Sequence, residues 1–227
     1  MSHFFRDRGL ALAMVIAVLA IISLLQGGLS YSVLLGALRN RFNVDTPFLA
    51  ELHWPIRAGL LVLAGMLWTL GRKRALFRVI IVANAFATAI LLADIAFLLS
   101  VLSGSTSRTA ATLLADVALI AASNVLIFSI WYWIIDPPGV IEGEDADQPW
   151  AFLFPQRASI LPGYESWAPH YGDYLFVAFT TSFAFSPTDA LPLTQTAKML
   201  MLLQAAISVV TLTGIAGAAI NILAGKG

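Results

Sequence analysis

Residues able to do chemistry are few in this chain, and the densest group lies between Thr180 and Asp189. Thr180, Thr181, Ser182, Phe183, Ala184, Phe185, Ser186, Pro187, Thr188 and Asp189 mix hydroxyls with aromatic rings and close on a carboxylate. Hydroxyls and main-chain carbonyls are the oxygen ligands with which a pore replaces the hydration shell of an ion. Asp94 and Asp116 fall inside long apolar runs. A carboxylate at membrane depth is costly and faces a bundle interior or a water-filled cavity. The plainer reading is a neutral acid hydrogen-bonding two helices together. Asn84, Asn124, Gln204 and Asn221 read as amides that bridge helices.

Other chemistries lack their residues. His3, His53 and His170 sit near loops or ends, and none has a partner at the spacing a zinc site on a helix needs. Cysteine is absent, which removes disulfides, thiolate ligands and cysteine nucleophiles. No nucleophile elbow, Walker loop or dinucleotide fingerprint occurs. The expectation is therefore no enzyme, no cofactor and no metal. Thirteen basic residues balance thirteen acidic ones, so no global charge points to nucleic acid.

The elements that must position the 180–189 group are membrane helices. The 227 residues are 59% hydrophobic and 11% charged, where a soluble domain carries about 25% charged residues. The N-terminus imitates a secretory signal, but apolar sequence continues to Leu38 without a small-residue cleavage site, which predicts a retained first span. Residues 9–38 read as one long helix bent at Gly27-Gly28. Trp54-Pro55 is expected to open a second span ending at Gly71, with Arg57 snorkelling to the headgroups from near its start.

Arg72, Lys73, Arg74 and Arg78 form a basic elbow, read as a topology signal before a third span over 77–102. A fourth runs over 109–135 and ends in Trp131, Tyr132 and Trp133, the composition of an interfacial aromatic belt, before Asp136-Pro137-Pro138-Gly139 stops it. The connection 137–172 holds an acidic run and FLFPQ at 152–156, and its scattered Trp150, Tyr164, Trp167 and Tyr171 suggest a segment resting on the membrane surface. The last span covers 194–224. The strict alternation of a membrane barrel is absent.

One segment is too short to cross. Tyr174–Phe185 is an apolar run of twelve residues, about 18 Å as a helix against a hydrocarbon core of about 30 Å. Incomplete helices survive at membrane depth only where protein or a water-filled cavity satisfies their polar groups. The expected layout is a half-helix, an extended loop carrying Pro187, and a long helix. The fold class is all-α: a single membrane domain, 1–227, with about five spans and one re-entrant half-helix. Helices within 1–108 precede a module over 109–227.

The 174–217 region resembles the pore module of tetrameric potassium-type channels. Thr180-Thr181 opens the loop, Asp189 closes it, Asp189-Ala190-Leu191-Pro192-Leu193-Thr194 follows a D-x-x-P-x-T spacing, and Gly214 or Gly217 stands where an inner-helix hinge would. The loop itself reads SFAFSPT where that family has a shorter, glycine-bearing run. The resemblance implies a homo-oligomer, with a tetramer favoured, and passage of a monovalent cation. A second resemblance covers about 120–224. Asn124, WYW at 131–133, Asp136, FLFPQ, Trp167, Asp173-Tyr174-Leu175, AFSPTD at 184–189, Pro192-Leu193, Ala197-Lys198, Leu200-Met201, Gln204 and Asn221-Ile222-Leu223 look like an uncharacterised family of small bacterial integral membrane proteins. It implies a multi-pass protein of the bacterial cytoplasmic membrane and brings no activity with it.

With the N-terminus, the elbow and the acidic connection on one face, that face holds eight basic residues against five if 174–189 re-enters, which favours a cytoplasmic N-terminus. The channel resemblance requires the opposite orientation, so orientation stays open. The expectation is a channel-like homo-oligomer in membrane lipid, with its constriction at Thr180–Asp189 and its wall formed by the last helix. The alternative is a non-conducting scaffold or accessory subunit in which the same loop is structural.

Overall fold

The computed structural model describes residues 9–29, 47–102, 110–136, 150–158, 162–164, 167–184 and 190–224. They form an all-helical bundle: α1 (Leu10–Gly28), α2 (Pro47–Thr69), α3 (Lys73–Leu102), α4 (Ala110–Ile135), the single turn α5 (Pro155–Ala158), the short α6 (Tyr171–Phe183) and α7 (Gln195–Leu223). Four of these, α1, α3, α4 and α7, are long and apolar enough to cross a membrane. The apolar part of α2, Trp54–Thr69, is shorter.

The second helix departs from its expected start. Helix α1 ends at Gly28, at the expected Gly27-Gly28 pair, and Leu29 is extended at φ −64°, ψ 135°; residues 30–38 of the expected run lie outside the described residues. Consecutive glycines weaken a helix end, and Gly27 lies under the Trp54 indole, which a Cβ there would strike. Helix α2 begins at Pro47, which leaves Pro55 inside it. The first position is where a proline's missing N–H costs least, and Pro47 fills it.

The helices meet at one end of the bundle. Trp68 Nε1 donates to the Gly9 carbonyl at 3.4 Å, and the Phe77 ring lies 5.8 Å from that of Trp133. The start of α1, the end of α2, the start of α3 and the end of α4 are thereby neighbours. Onto this end folds the segment after Trp150. Phe152–Leu153 (β1) pairs antiparallel with Leu191–Pro192 (β2), Phe152 opposite Pro192 and Leu153 opposite Leu191, and Leu193 N–H donates to the Ala151 carbonyl at 2.9 Å. We call this the capped end.

The cap decides where the aromatics lie. Tyr132 and Trp133 are fully buried, and Trp131 Nε1 donates to Thr88 Oγ1 at 2.9 Å, so these rings are core and helix-bridging groups rather than an interfacial belt. Helix α4 is central, packed by α1, α3, α6 and α7, and the FLFPQ segment covers its end. In the connection, Phe152, Phe154 and Tyr171 are buried, whereas Trp150 and Tyr164 are about half exposed, so part of it is core and part stays at the surface. Phe152 meets Tyr132 edge-on at 5.2 Å, and Phe154 meets Tyr174 and Trp167 at 5.7 and 5.6 Å.

Candidate functional site at the half-helix

Helix α6 starts with a built N-terminus. His170 is its N-cap, and its backbone N–H donates to Asp173 Oδ2 at 2.6 Å in a reciprocal capping box. Asp173 in the first turn also suits the positive end of the helix dipole. The helix begins one turn earlier than the apolar run alone indicates, because Tyr171 extends its buried face. It closes at Ala184, whose N–H donates to the Thr180 carbonyl at 2.8 Å. Phe185, Ser186, Pro187, Thr188 and Asp189 lie outside the described residues.

One face of α6 is locked to α4 and α7. Gln204 on α7 donates from Nε2 to the Ala178 carbonyl and to Ser182 Oγ, both at 2.8 Å, while its Oε1 accepts the Tyr132 hydroxyl. A single amide thus joins three helices. The network continues along α7: Ser208 Oγ donates to the Gln204 carbonyl at 3.0 Å and accepts Asn124 Nδ2 at 2.9 Å. A further tie between α4 and α6 is the pair of Ser129 and Tyr171 hydroxyls, 2.5 Å apart. Thr181 and Ser182 are buried. Thr180 turns its hydroxyl to its own helix, onto the Phe176 and Val177 carbonyls at 2.9 and 3.1 Å.

The opposite face is an aromatic ridge. Phe176, Phe179 and Phe183 are about half exposed, with the last two rings 4.8 Å apart. Ala184 is exposed beside them.

At the mouth of α6 stands a charged node that the sequence reading did not single out as a site. The Asp136 carboxylate accepts Ala151 N–H at 3.0 Å, Arg157 NH1 at 2.9 Å and the Tyr174 hydroxyl at 2.8 Å. The Tyr174 hydroxyl is also 2.6 Å from the Asp136 carbonyl. Arg157 NH1 further donates to the Phe152 carbonyl at 3.1 Å, and its guanidinium lies 4.8 Å from the Trp150 ring. Burial first, then the Asp136 carboxylate, pushes the Tyr174 phenol above its ordinary range, so it stays a donor. The available signal was Arg157 itself, the only arginine or lysine in an otherwise acidic connection. A cation there needs a partner with low exposure, and Asp136 supplies it.

Other candidates fall elsewhere. Asp94 is buried on α3 and Asp116 is half-exposed on α4, each in the half of its helix remote from the cap. Asn84 Nδ2 donates to the Ile127 carbonyl at 3.2 Å, the bridging role expected of such amides. The side chain of Asn221 lies outside the described residues. Helix α7 runs unbroken through Gly214 and Gly217, and Gly214 packs against Val117 and Leu98. Arg57 does not snorkel: it is buried, donating to the Ser23 carbonyl at 3.2 Å and to Gln26 Oε1 at 2.8 Å. Polar groups of α1 reach it before the headgroups do. Among the described residues no group of three or more His, Cys, Asp or Glu is placed to hold a metal ion.

Fold and site together define an all-helical protein compatible with multiple membrane crossings, with a short helix held by buried side-chain amides and hydroxyls. No protein-family model, curated protein or solved structure matches the chain.

Proposed function

We propose that the chain is a non-conducting scaffold or accessory subunit of the bacterial cytoplasmic membrane, in which α6 re-enters and is structural. The observation that carries this reading is the three-way bond of Gln204 to Ala178, Ser182 and Tyr132. It ties the half-helix to its own protomer and engages Ser182, one of the hydroxyls that a pore would offer to an ion. Re-entry is supported by the two flanks of α6. Tyr174 bonds Asp136, and Leu193 bonds Ala151, whose own N–H bonds Asp136. Five crossings follow if residues 47–53 at the start of α2 complete its apolar part.

The second reading, monovalent cation passage through a homotetramer with Thr180–Asp189 at its axis, has the Phe176, Phe179 and Phe183 ridge in its favour, because a face left apolar by the protomer can pack against another copy. Flux separates the two. Purified protein in liposomes under potassium or sodium gradients is expected to leak no faster than protein-free vesicles. A flux above that baseline, lowered by Asp189→Asn, would overturn the scaffold reading.

Re-entry has its own measurement. The chain has no cysteine, so single cysteines at Ala168 and Thr194 report position without background. Both are expected to react with an impermeant maleimide from the same side, and reaction from opposite sides excludes re-entry.

A further inference from the structure

The turn between α2 and α3 carries three cations on a fixed main chain. Gly71 takes φ +69°, Arg72 N–H donates to the Leu67 carbonyl at 3.0 Å, and Gly71 N–H donates to the Trp68 carbonyl at 3.1 Å, which is a Schellman closure of α2. The Arg72 carbonyl accepts Leu76 N–H at 3.0 Å, so α3 starts at once. Arg72 and Arg78 are exposed and Lys73 is partly so. Among the described residues none of the three has an acidic partner. The first turn of α3 also lacks an acidic residue, although it is the positive end of the helix dipole, where cations are disfavoured. The elbow is thus a concentration of positive charge that the described part of the chain leaves uncompensated.

Its depth is that of a headgroup layer. The stretch of α3 long and apolar enough to cross a membrane begins at Lys73. Arg78 lies about 7.5 Å further along at 1.5 Å per residue, and an exposed arginine at that depth reaches back to the same layer. Beyond Arg78 the exposed face of α3 turns apolar at helical spacing, through Val82 and Ala85, and Leu70 is exposed on the α2 side of the turn.

We propose that the α2–α3 elbow binds the headgroup of an anionic phospholipid in the leaflet at the capped end, through Arg72, Lys73 and Arg78, with an acyl chain lying along Val82 and Ala85. Uncompensated positive charge selects an anion. The apolar face that continues from Arg78 toward the bilayer centre selects a lipid over a soluble phosphate or an acidic peptide. A topology signal alone would be indifferent to the headgroup. The site rests on the membrane reading, and it holds for a scaffold and for a pore alike.

The test uses the full-length protein in nanodiscs of equal phosphatidylglycerol and phosphatidylcholine, released for native mass spectrometry, with thermal unfolding followed in parallel. Wild-type protein is expected to retain phosphatidylglycerol in preference to phosphatidylcholine. Arg78→Gln is expected to lower that preference about fivefold, the scale of one cation at an anionic surface, and Arg78→Lys to keep most of it. Arg72→Gln, Lys73→Gln and Arg78→Gln combined should abolish the preference while unfolding stays cooperative, because these side chains are not core. Lys198→Gln removes an exposed cation near the start of α7, also at the capped end, and should leave the preference unchanged. Glycerophosphate, the same headgroup chemistry without acyl chains, should not displace the lipid. Equal retention of the two lipids by wild type, an unchanged preference in Arg78→Gln, a loss in Lys198→Gln as large as in Arg78→Gln, or displacement by glycerophosphate would overturn the proposal.

Discussion

Gln204 reaches from α7 to the main-chain carbonyl of Ala178 at 2.8 Å, an oxygen that is already part of the α6 helical ladder. A carbonyl has a second lone pair, and the amide uses it without breaking the helix. The same amide accepts Tyr132, so α4 and α6 are registered against α7 by a single side chain.

Replacing Gln204 by leucine removes these bonds at once while keeping a side chain of similar reach. Interhelical bonds in membranes contribute about 0.6 to 2 kcal/mol each. Because the three act together, Gln204→Leu should cost about 2 kcal/mol. Unfolding in mixed detergent micelles measures this, and a cysteine placed at Ala178 should become more reactive in the variant. An unchanged midpoint with unchanged reactivity would show that apolar packing alone holds α6.

The Asp136–Arg157 pair is more costly to break than to replace. The two side chains are 5% and 12% exposed, low enough that solvent screens them poorly. Removing one partner of a buried pair strands the other, at about 3 to 5 kcal/mol, and some residual exposure places this pair at the lower end. Asp136→Ala and Arg157→Ala should each destabilise by about 3 kcal/mol, with the double variant well short of their sum. Hydrogen exchange at Phe152 and Leu153 should rise in all three, because the carboxylate holds Ala151 and the arginine holds the Phe152 carbonyl. Strict additivity would mean that the pair contributes no coupling.

Alkaline unfolding should expose the tyrosines at the mouth of α6. Burial pushes Tyr171 up to about 12, and Tyr174 is raised further by burial and by Asp136. A phenol whose folded pKa lies above its unfolded value near 10 stabilises the fold below that pH and loses the contribution as pH rises through the folded pKa. Stability should therefore fall from about pH 10 upward, by about 1.4 kcal/mol per pH unit for each such tyrosine. Tyr174→Phe should flatten that slope while costing about 1 kcal/mol at neutral pH through loss of the bonds to Asp136. The same slope in wild type and variant would place the alkaline transition elsewhere.

The helices were legible in the sequence because apolar length is a one-dimensional property. The bounds of α3, α4 and α7 lie within a few residues of 77–102, 109–135 and 194–224. The short length of α6 and the interest of Gln204 were legible for the same reason. What failed was placement that depends on tertiary neighbours. Trp131, Tyr132 and Trp133 have the composition of a belt, yet their environment is set by Phe152 and Phe77, which arrive from distant parts of the chain. Arg57 near a span end has the composition of a snorkelling residue, and Gln26 and Ser23 on another helix decide otherwise. The Asp136–Arg157 node joins residues twenty-one apart through a connection without strong periodicity, so no local pattern announces it.

Gly214 tests whether the glycines of α7 serve packing or bending. A Cβ at this position would approach Val117 Cγ2 at 3.2 Å and Leu98 Cδ2 at 3.3 Å, tighter than ordinary contact, and the glycine is buried at the meeting of α7 with α3 and α4. Gly214→Ala should therefore be absorbed by small side-chain shifts, at about 1 kcal/mol or less, whereas Gly214→Leu must separate the helices at about 1 to 3 kcal/mol. Val117→Ala opens space on the facing helix and should recover part of the loss in Gly214→Leu. A hinge predicts a different pattern: alanine would raise stability by stiffening the helix, since glycine costs about 1 kcal/mol relative to alanine in a helix interior. Detergent unfolding of the Gly214→Ala protein, with and without Val117→Ala, gives the sign. A stabilised Gly214→Ala indifferent to Val117 would assign the glycine to bending.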